Sequence, residues 1–209
     1  MTISQAQLKE AVEILKKGGV IVFPTETAYG LGVDATNAQA VRKLMAIKGR
    51  EGWKTPPLIA ADMNMVDTFA VLTPKLSELA ERYWPGPLTM VVSIPALTPR
   101  YPGDRQLAQE VIRDGTIAIR VSSNEAARTL SRELDVPIVA TSANIAGQAT
   151  CYTLADVHAQ FDSRLLQPNL FLDAGPLPVR APSTIITEQN GQVIVLRQGE
   201  IEIPKPYVA

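Results

Sequence analysis

Short apolar runs rich in β-branched residues alternate along this chain with stretches whose apolar residues recur at helical spacing. A strand that is apolar on successive residues must be covered on both faces, and intervening helices supply that cover. The alternation therefore predicts layered α/β packing. Residues 20–23, 58–61, 88–94, 116–121, 137–140 and 170–173 read as strands. Leu8, Ala11, Val12 and Leu15 mark a first helix, opened by a Ser4/Gln7 capping box and closed by Gly18 and Gly19. A second helix is expected from Asn37 to Lys48, with Val41, Leu44 and Met45 inward, and a third over residues 74–83. Ser122 with Glu125 is expected to cap the helix carrying Ala126, Ala127, Leu130 and Leu134, and Thr153 with Asp156 a short later one. Residues 24–32 read as a polar, glycine-containing loop. Trp84-Pro-Gly-Pro87 makes a rigid turn. Asn190-Gly191, lying between residues 184–187 and 192–197, signals a hairpin because both residues tolerate positive φ. A hairpin brings antiparallel strands, so the sheet should be mixed.

A length of 209 residues suits one domain, read here as residues 1–200 followed by a short tail, 201–209. With 46% hydrophobic and 20% charged residues, a sizeable core is expected and disorder is not. The formal net charge of −1 excludes a global basic field for nucleic acid. The single cysteine, Cys151, cannot form an internal disulfide. The first residues lack a signal peptide's continuous apolar core, and no stretch approaches the ~20 apolar residues of a membrane span. A cytoplasmic protein without membrane association is expected.

The polar residues that carry chemistry gather beside strand and helix ends, where ligands of α/β proteins collect. Thr25, Glu26 and Thr27 follow the first strand, Arg120 lies at the end of residues 116–121, and Thr141, Ser142 and Asn144 follow residues 137–140. Ser183 and Thr184 open the hairpin, Arg197 closes it, and Lys48 and Arg50 close the second helix. Cations with small hydroxyl and amide donors suit an anionic ligand held by charge-assisted hydrogen bonds. Taken singly, Lys48 and Arg50 equally suit a helix macrodipole, and Ser142 and Asn144 an ordinary turn. Arg120 sits in an apolar strand, where a guanidinium needs a partner or an anionic ligand. Glu26 reads as a plain loop carboxylate ahead of a general base, Trp84 as a packing anchor, His158 as a surface residue and Cys151 as inert. There is no Walker A loop and no Gly-x-Gly-x-x-Gly fingerprint. The residues alone reach an α/β domain with a pocket for an anionic small ligand.

The chain also resembles the YrdC (TsaC) family of threonylcarbamoyl-AMP synthases. The resemblance rests on Phe23-Pro-Thr-Glu-Thr-Ala-Tyr-Gly-Leu-Gly32, Lys48-Gly-Arg50, Trp84-Pro-Gly-Pro-Leu-Thr89 and Thr116-Ile-Ala-Ile-Arg120. Thr141-Ser-Ala-Asn144, Asp173-Ala-Gly175, Ser183-Thr-Ile-Ile186 and Leu196-Arg-Gln-Gly199 complete it in family order. It implies a three-layer fold with a twisted mixed sheet around a concave pocket. It also implies an enzyme that makes threonylcarbamoyl-AMP and pyrophosphate from L-threonine, bicarbonate or CO₂, and ATP. Mg²⁺ accompanies the ATP, and no protein-bound metal cluster is implied; threonine supplies its own nucleophile, and the sequence names no general base. A downstream transferase complex would pass the threonylcarbamoyl group to tRNA, which this chain would contact weakly at most. The family's Lys-x-Arg…Ser-x-Asn signature falls on Lys48, Arg50, Ser142 and Asn144, the implied catalytic set. Arg50, Lys54, Thr116, Thr141, Ser142, Asn144 and Arg197 would contact the nucleotide. Thr27, Arg120 and Ser183 would hold threonine.

This chain departs from the family pattern in the loop after Arg50, Glu51-Gly-Trp-Lys-Thr-Pro-Pro57, which is about two residues longer than the short form. Pro182 stands where a glutamate often precedes Ser-Thr. The resemblance is to the short, single-domain form. Two other readings share the fold: a carbamoyl-adenylate enzyme like a domain of hydrogenase-maturation carbamoyltransferases, and an RNA-binding module. The first sits in far larger chains, and the near-neutral charge argues against the second. A paralogous group loses Ser-x-Asn, so Ser142 and Asn144 place the chain with the synthases.

Overall fold

Ser4 opens α1 (Gln5–Lys16) as its position predicts: its hydroxyl accepts from Gln7 N at 3.3 Å, and Gln7 Oε1 accepts from Ser4 N at 2.9 Å. Such a box satisfies two helix-end N–H groups at once. The computed structural model describes residues 2–49, 55–95, 105–205 and 207. Asn37 caps α2 (Ala38–Lys48), Thr73 caps α4 (Pro74–Tyr83), and Thr153 with Asp156 forms a second capping box on α6 (Leu154–Phe161).

Two helices differ from the sequence reading. Asp62 caps a short α3 (Met63–Phe69) that was not anticipated. At α5 (Glu125–Leu134) the cap is Asn124, whose Oδ1 accepts from Ala127 N at 3.2 Å. Ser122 does not cap the helix. Its hydroxyl is committed to Glu26, and Asn124 is one of the better capping types.

The described residues form one mixed sheet of nine strands. These are β1 (Ile21–Pro24), β2 (Tyr29–Asp34), β3 (Leu58–Ala60), β4 (Leu88–Ser93), β5 (Thr116–Val121), β6 (Ile138–Ser142), β7 (Leu170–Phe171), β8 (Thr184–Gln189) and β9 (Gln192–Arg197). Their order is β7-β1-β2-β6-β3-β5-β4-β8-β9. The pairs β1–β7, β3–β5 and β4–β8 are parallel, and the other neighbours are antiparallel. The hairpin forms at Asn190 and Gly191, with φ of 52° and 75°.

Strand β2 corrects the reading of residues 24–32 as a loop. Glycine is a poor strand former, and Gly30 and Gly32 disguised the segment. Their lack of a side chain is what the strand requires. A Cβ on Gly32 would lie 2.6 Å from the Phe23 ring of β1, so that ring packs over bare backbone. All six residues of β2 are buried.

The core is continuous, from Val12 and Leu15 of α1 through Ile21, Leu31, Leu58 and Ile119 of the sheet to Leu130 of α5. Helices α1 and α5 pack on each other, and α5 also packs on β1 and β3. Residues beyond β9 run back along the sheet: Ile203 is buried, and Val193 N donates to Tyr207 O at 3.0 Å. Among the described residues, no helix is long and apolar enough to cross a membrane.

Candidate active site

A cavity of about 740 Å³ opens beside β2, β5, β6, β8 and β9. Arg120 and Arg197 lie within β5 and β9, as the sequence reading has them, whereas Thr141 and Ser142, read as following a strand, belong to β6. Alternation explains how β5 serves core and cavity together: Ile117, Ile119 and Val121 enter the core, while Ala118 and Arg120 take the other face.

At one side of the cavity, Lys48 comes from the last residue of α2 and is 4% exposed. Its ammonium donates to Ser142 O at 2.6 Å, Ser142 Oγ at 3.2 Å, Asn144 O at 3.0 Å and Asn144 Oδ1 at 3.1 Å. The Ser142 hydroxyl donates to Asn144 Oδ1 at 2.6 Å. Asn144 Nδ2 donates to Ile145 O at 3.1 Å and Gln148 O at 2.7 Å. Lys48 is thus the clamp of the turn that presents Ser142 and Asn144. A charged donor on backbone and side-chain oxygens together makes such a turn stiff.

Arg120 stands opposite. Its Nε lies 3.2 Å from Glu26 Oε1, an ion pair with side chains 6% and 9% exposed. The two atoms are off the line of a hydrogen bond, so the contact is electrostatic. Glu26 is therefore the partner that a buried Arg120 demands, and no longer a plain loop carboxylate. Arg197 donates Nε and Nη2 to Ser183 O at 3.1 and 2.7 Å, and Nη2 to Ser183 Oγ at 3.0 Å. Ser183 Oγ also meets Thr89 Oγ1 at 2.9 Å. Burial, and then the nearby Arg120 charge, push the Arg197 pKa below its ordinary value. Thr27 Oγ1 lies 3.1 Å from Thr25 Oγ1, which donates to Ala28 O at 2.7 Å and so fixes the short connection from β1 to β2.

The cavity thus brings together Thr27, Lys48, Arg120, Thr141, Ser142, Asn144, Ser183 and Arg197. Thr116 does not line it. It starts β5 on the same face as Arg120 but about 13 Å along the strand, and its hydroxyl donates to Arg113 O at 2.7 Å. Arg50 and Lys54 lie outside the described residues. Among the lining residues that escaped the sequence reading, three carry notable polar groups. Tyr29 donates its hydroxyl to Gly175 O at 2.7 Å, and burial raises its pKa. Tyr152 donates to Arg180 O at 3.1 Å, and Arg180 brings another cation. The available signal for Arg180 was a cation in a proline-flanked segment, Pro178-Val-Arg-Ala-Pro182, just before Ser183. Lys48, Arg120, Arg180 and Arg197 all line the cavity, and no described lining residue is a carboxylate; Glu26, beside Arg120, and Glu200, 3.7 Å from Arg180, stand outside the lining. Such a surface concentrates anions.

The protein family described as Telomere recombination, which groups Sua5, YciO and YrdC proteins, matches residues 13–199. The chain belongs to the Sua5/YciO/YrdC family. Among curated members, Threonylcarbamoyl-AMP synthase of Psychromonas ingrahamii is 30% identical over 92% of this chain and 97% of its own length. The enzyme of that name from Thiobacillus denitrificans is 35% identical over 86% of this chain and 90% of its own. P. abyssi Sua5, solved in complex with L-threonine, superposes with a TM-score of 0.80 at 29% identity. That match covers 95% of this chain but 56% of the Sua5 chain. E. coli YciO gives a TM-score of 0.81 at 27% identity, covering 98% of this chain and 94% of its own. Of the residues on which the sequence resemblance rests, Thr25, Thr27, Lys48, Arg120, Ser142, Asn144, Ser183 and Arg197 line the cavity.

Proposed function

We propose that this chain is an L-threonylcarbamoyladenylate synthase, forming threonylcarbamoyl-AMP and pyrophosphate from L-threonine, bicarbonate or CO₂, and ATP. The observation that carries the reading is a carboxylate-free lining with four cations, split between the Lys48-clamped turn and the Arg120–Arg197 side. Two anionic substrates need two such places. The threonine carboxylate would take the planar fork of Arg120. Thr27 and Ser183 offer hydroxyls to a hydroxylated side chain, a means of rejecting analogues that lack it. The nucleotide would lie toward Ser142, Asn144 and Arg197.

The threonine nitrogen bonds to the carbon of CO₂ and loses a proton, giving a carbamate. A carbamate oxygen then bonds to the α-phosphorus of ATP as the bond to pyrophosphate breaks. The carbamate supplies its own nucleophilic oxygen, so the protein's part is to position it and offset charge. The lining offers hydroxyl and amide oxygens with its cations, which fits a Mg²⁺ ion held by phosphate oxygens and water. When bound, that ion would neutralise phosphate charge, and Ser142 and Asn144 would be available to it as oxygen donors. The catalytic unit is residues 1–200, the product is destined for a transferase complex acting on tRNA, and the setting is the cytoplasm.

The test is pyrophosphate release by the purified protein. Release is expected only with ATP, threonine and bicarbonate together, and release indifferent to threonine sinks the reading. Arg120→Ala is expected to raise KM for threonine at least ~10-fold with little change for ATP. Equal loss for both substrates would contradict the role given to Arg120.

A further inference from the structure

We propose that Glu26 is a positioning residue that sets the plane of the Arg120 guanidinium for an amino-acid carboxylate. This rests on the functional reading above. Glu26 lies behind the cavity and not in its lining. Its Oε1 faces Arg120 Nε at 3.2 Å, off the line of a hydrogen bond, so it holds that edge by charge, and both atoms are closed off from solvent. Its Oε2 accepts from the Ser122 hydroxyl. Ser122 is anchored in turn: its Oγ accepts from Asn124 N at 3.1 Å, and its carbonyl accepts from Arg128 Nη1 at 2.8 Å. The chain of contacts runs from the capped start of α5 through Ser122 and Glu26 to Arg120. It engages the Nε edge of the guanidinium. The other edge, with both Nη atoms, makes no hydrogen bond to a described residue, and Arg120 lines the cavity.

Bidentate recognition of a carboxylate needs that edge held in one plane, because two parallel N–H···O bonds tolerate little rotation. A guanidinium on a flexible stem loses rotamer freedom when it is ordered. An anchor that orders it before the ligand arrives removes that loss from binding. Glu26 also balances the charge of a buried Arg120. Balancing charge alone would move stability and leave threonine and ATP equally affected, whereas positioning moves threonine selectively.

Threonine and ATP binding are measured by calorimetry, and exchange of the Arg120 Nε–H by ¹⁵N NMR, in the wild type and in Glu26→Gln, Glu26→Ala and Ser122→Ala. Glu26→Gln keeps the shape and removes the charge. It is expected to weaken threonine about 10-fold, leave ATP within about twofold, and speed Nε–H exchange. Glu26→Ala is expected to do more, and Ser122→Ala the same in smaller measure. Ser122→Ala keeps the ion pair, so it tests the idea even where Glu26→Ala fails to fold. Unchanged exchange in the Glu26 variants, or equal weakening of threonine and ATP, overturns the proposal. A wild-type protein that ignores threonine overturns the functional reading and the ligand named here. The exchange readout separates the two failures, since it needs no substrate.

Discussion

Deleting the Lys48 ammonium tests whether the cavity works as one organised unit. Lys48→Met keeps most of the apolar stem and removes the donor to four oxygens, at 2.6, 3.2, 3.0 and 3.1 Å. Two of these are the carbonyls of Ser142 and Asn144. A buried acceptor left without its donor costs about 1–3 kcal/mol; the Asn144 carbonyl contact is buried and the Ser142 one only partly, so the pair contributes roughly 2–4 kcal/mol. The opposing effect is the desolvation of a buried ammonium, several kcal/mol, which the substitution relieves. The Ser142–Asn144 bond survives. The two effects are of similar size, so the net change in stability should stay within about 2 kcal/mol, or about 4–8 °C in Tm for a chain of this size. Activity should fall further than stability suggests, because Ser142 and Asn144 lose their fixed places. Misplacing a binding group by ~1 Å can cost about 100-fold. The assay is pyrophosphate release in a double-mutant cycle of Lys48→Met with Ser142→Ala. If Lys48 acts through the turn, the double variant is little worse than the poorer single one. Losses that multiply would show Lys48 acting on the ligand independently, and the clamp argument would fail.

Cys151 is fully buried, and its thiol is pushed from an ordinary 9.0 to about 11, first by burial and then by Asp156. The folded protein then keeps this proton after the unfolded chain has lost it. Its contribution to stability is whole below about pH 9 and declines as pH rises toward 11; a Cys151→Ala variant should show less of that alkaline decline in thermal melts. The native thiol should also resist alkylation at pH 8 and react on unfolding, and rapid native labelling would contradict its burial. Thr184 Oγ1 donates to Ile201 O at 2.6 Å and accepts from Gly199 N at 3.1 Å and Ile201 N at 3.0 Å, tying the chain after β9 to the start of β8. Thr184→Val should cost about 2–3 kcal/mol and speed amide exchange at Gly199 and Ile201; unchanged exchange there would show that the chain is held by other contacts.

Helix positions were legible because their causes are local. Ser4 with Gln7 and Thr153 with Asp156 both form the capping boxes their spacing announces. The hairpin at Asn190-Gly191 is likewise a matter of two residues that accept positive φ. Failures occurred where a distant partner outweighed local preference. Ser122 has the right spacing for a cap, but Glu26, far away in sequence, claims its hydroxyl. Gly30 and Gly32 look like loop residues until β1 and β6 pair on either side of β2.

The same division runs through the site. The residue types that demand an anion, a buried guanidinium in an apolar strand above all, were evident from the sequence, as was the family's order of motifs. Local pattern could not say what each group does, because that depends on strands meeting out of sequence order. Antiparallel pairing of β2 with β6 sets Gly30 opposite Ser142, and β8–β9 pairing sets Ile185 beside Arg197. Only that assembly turned Lys48 from a helix-end cation into the clamp of a turn, and Glu26 from a loop carboxylate into the partner of Arg120. A buried charge takes its role from the groups that replace its water: Ser142 and Asn144 for Lys48, Arg120 and Ser122 for Glu26, all far away along the chain.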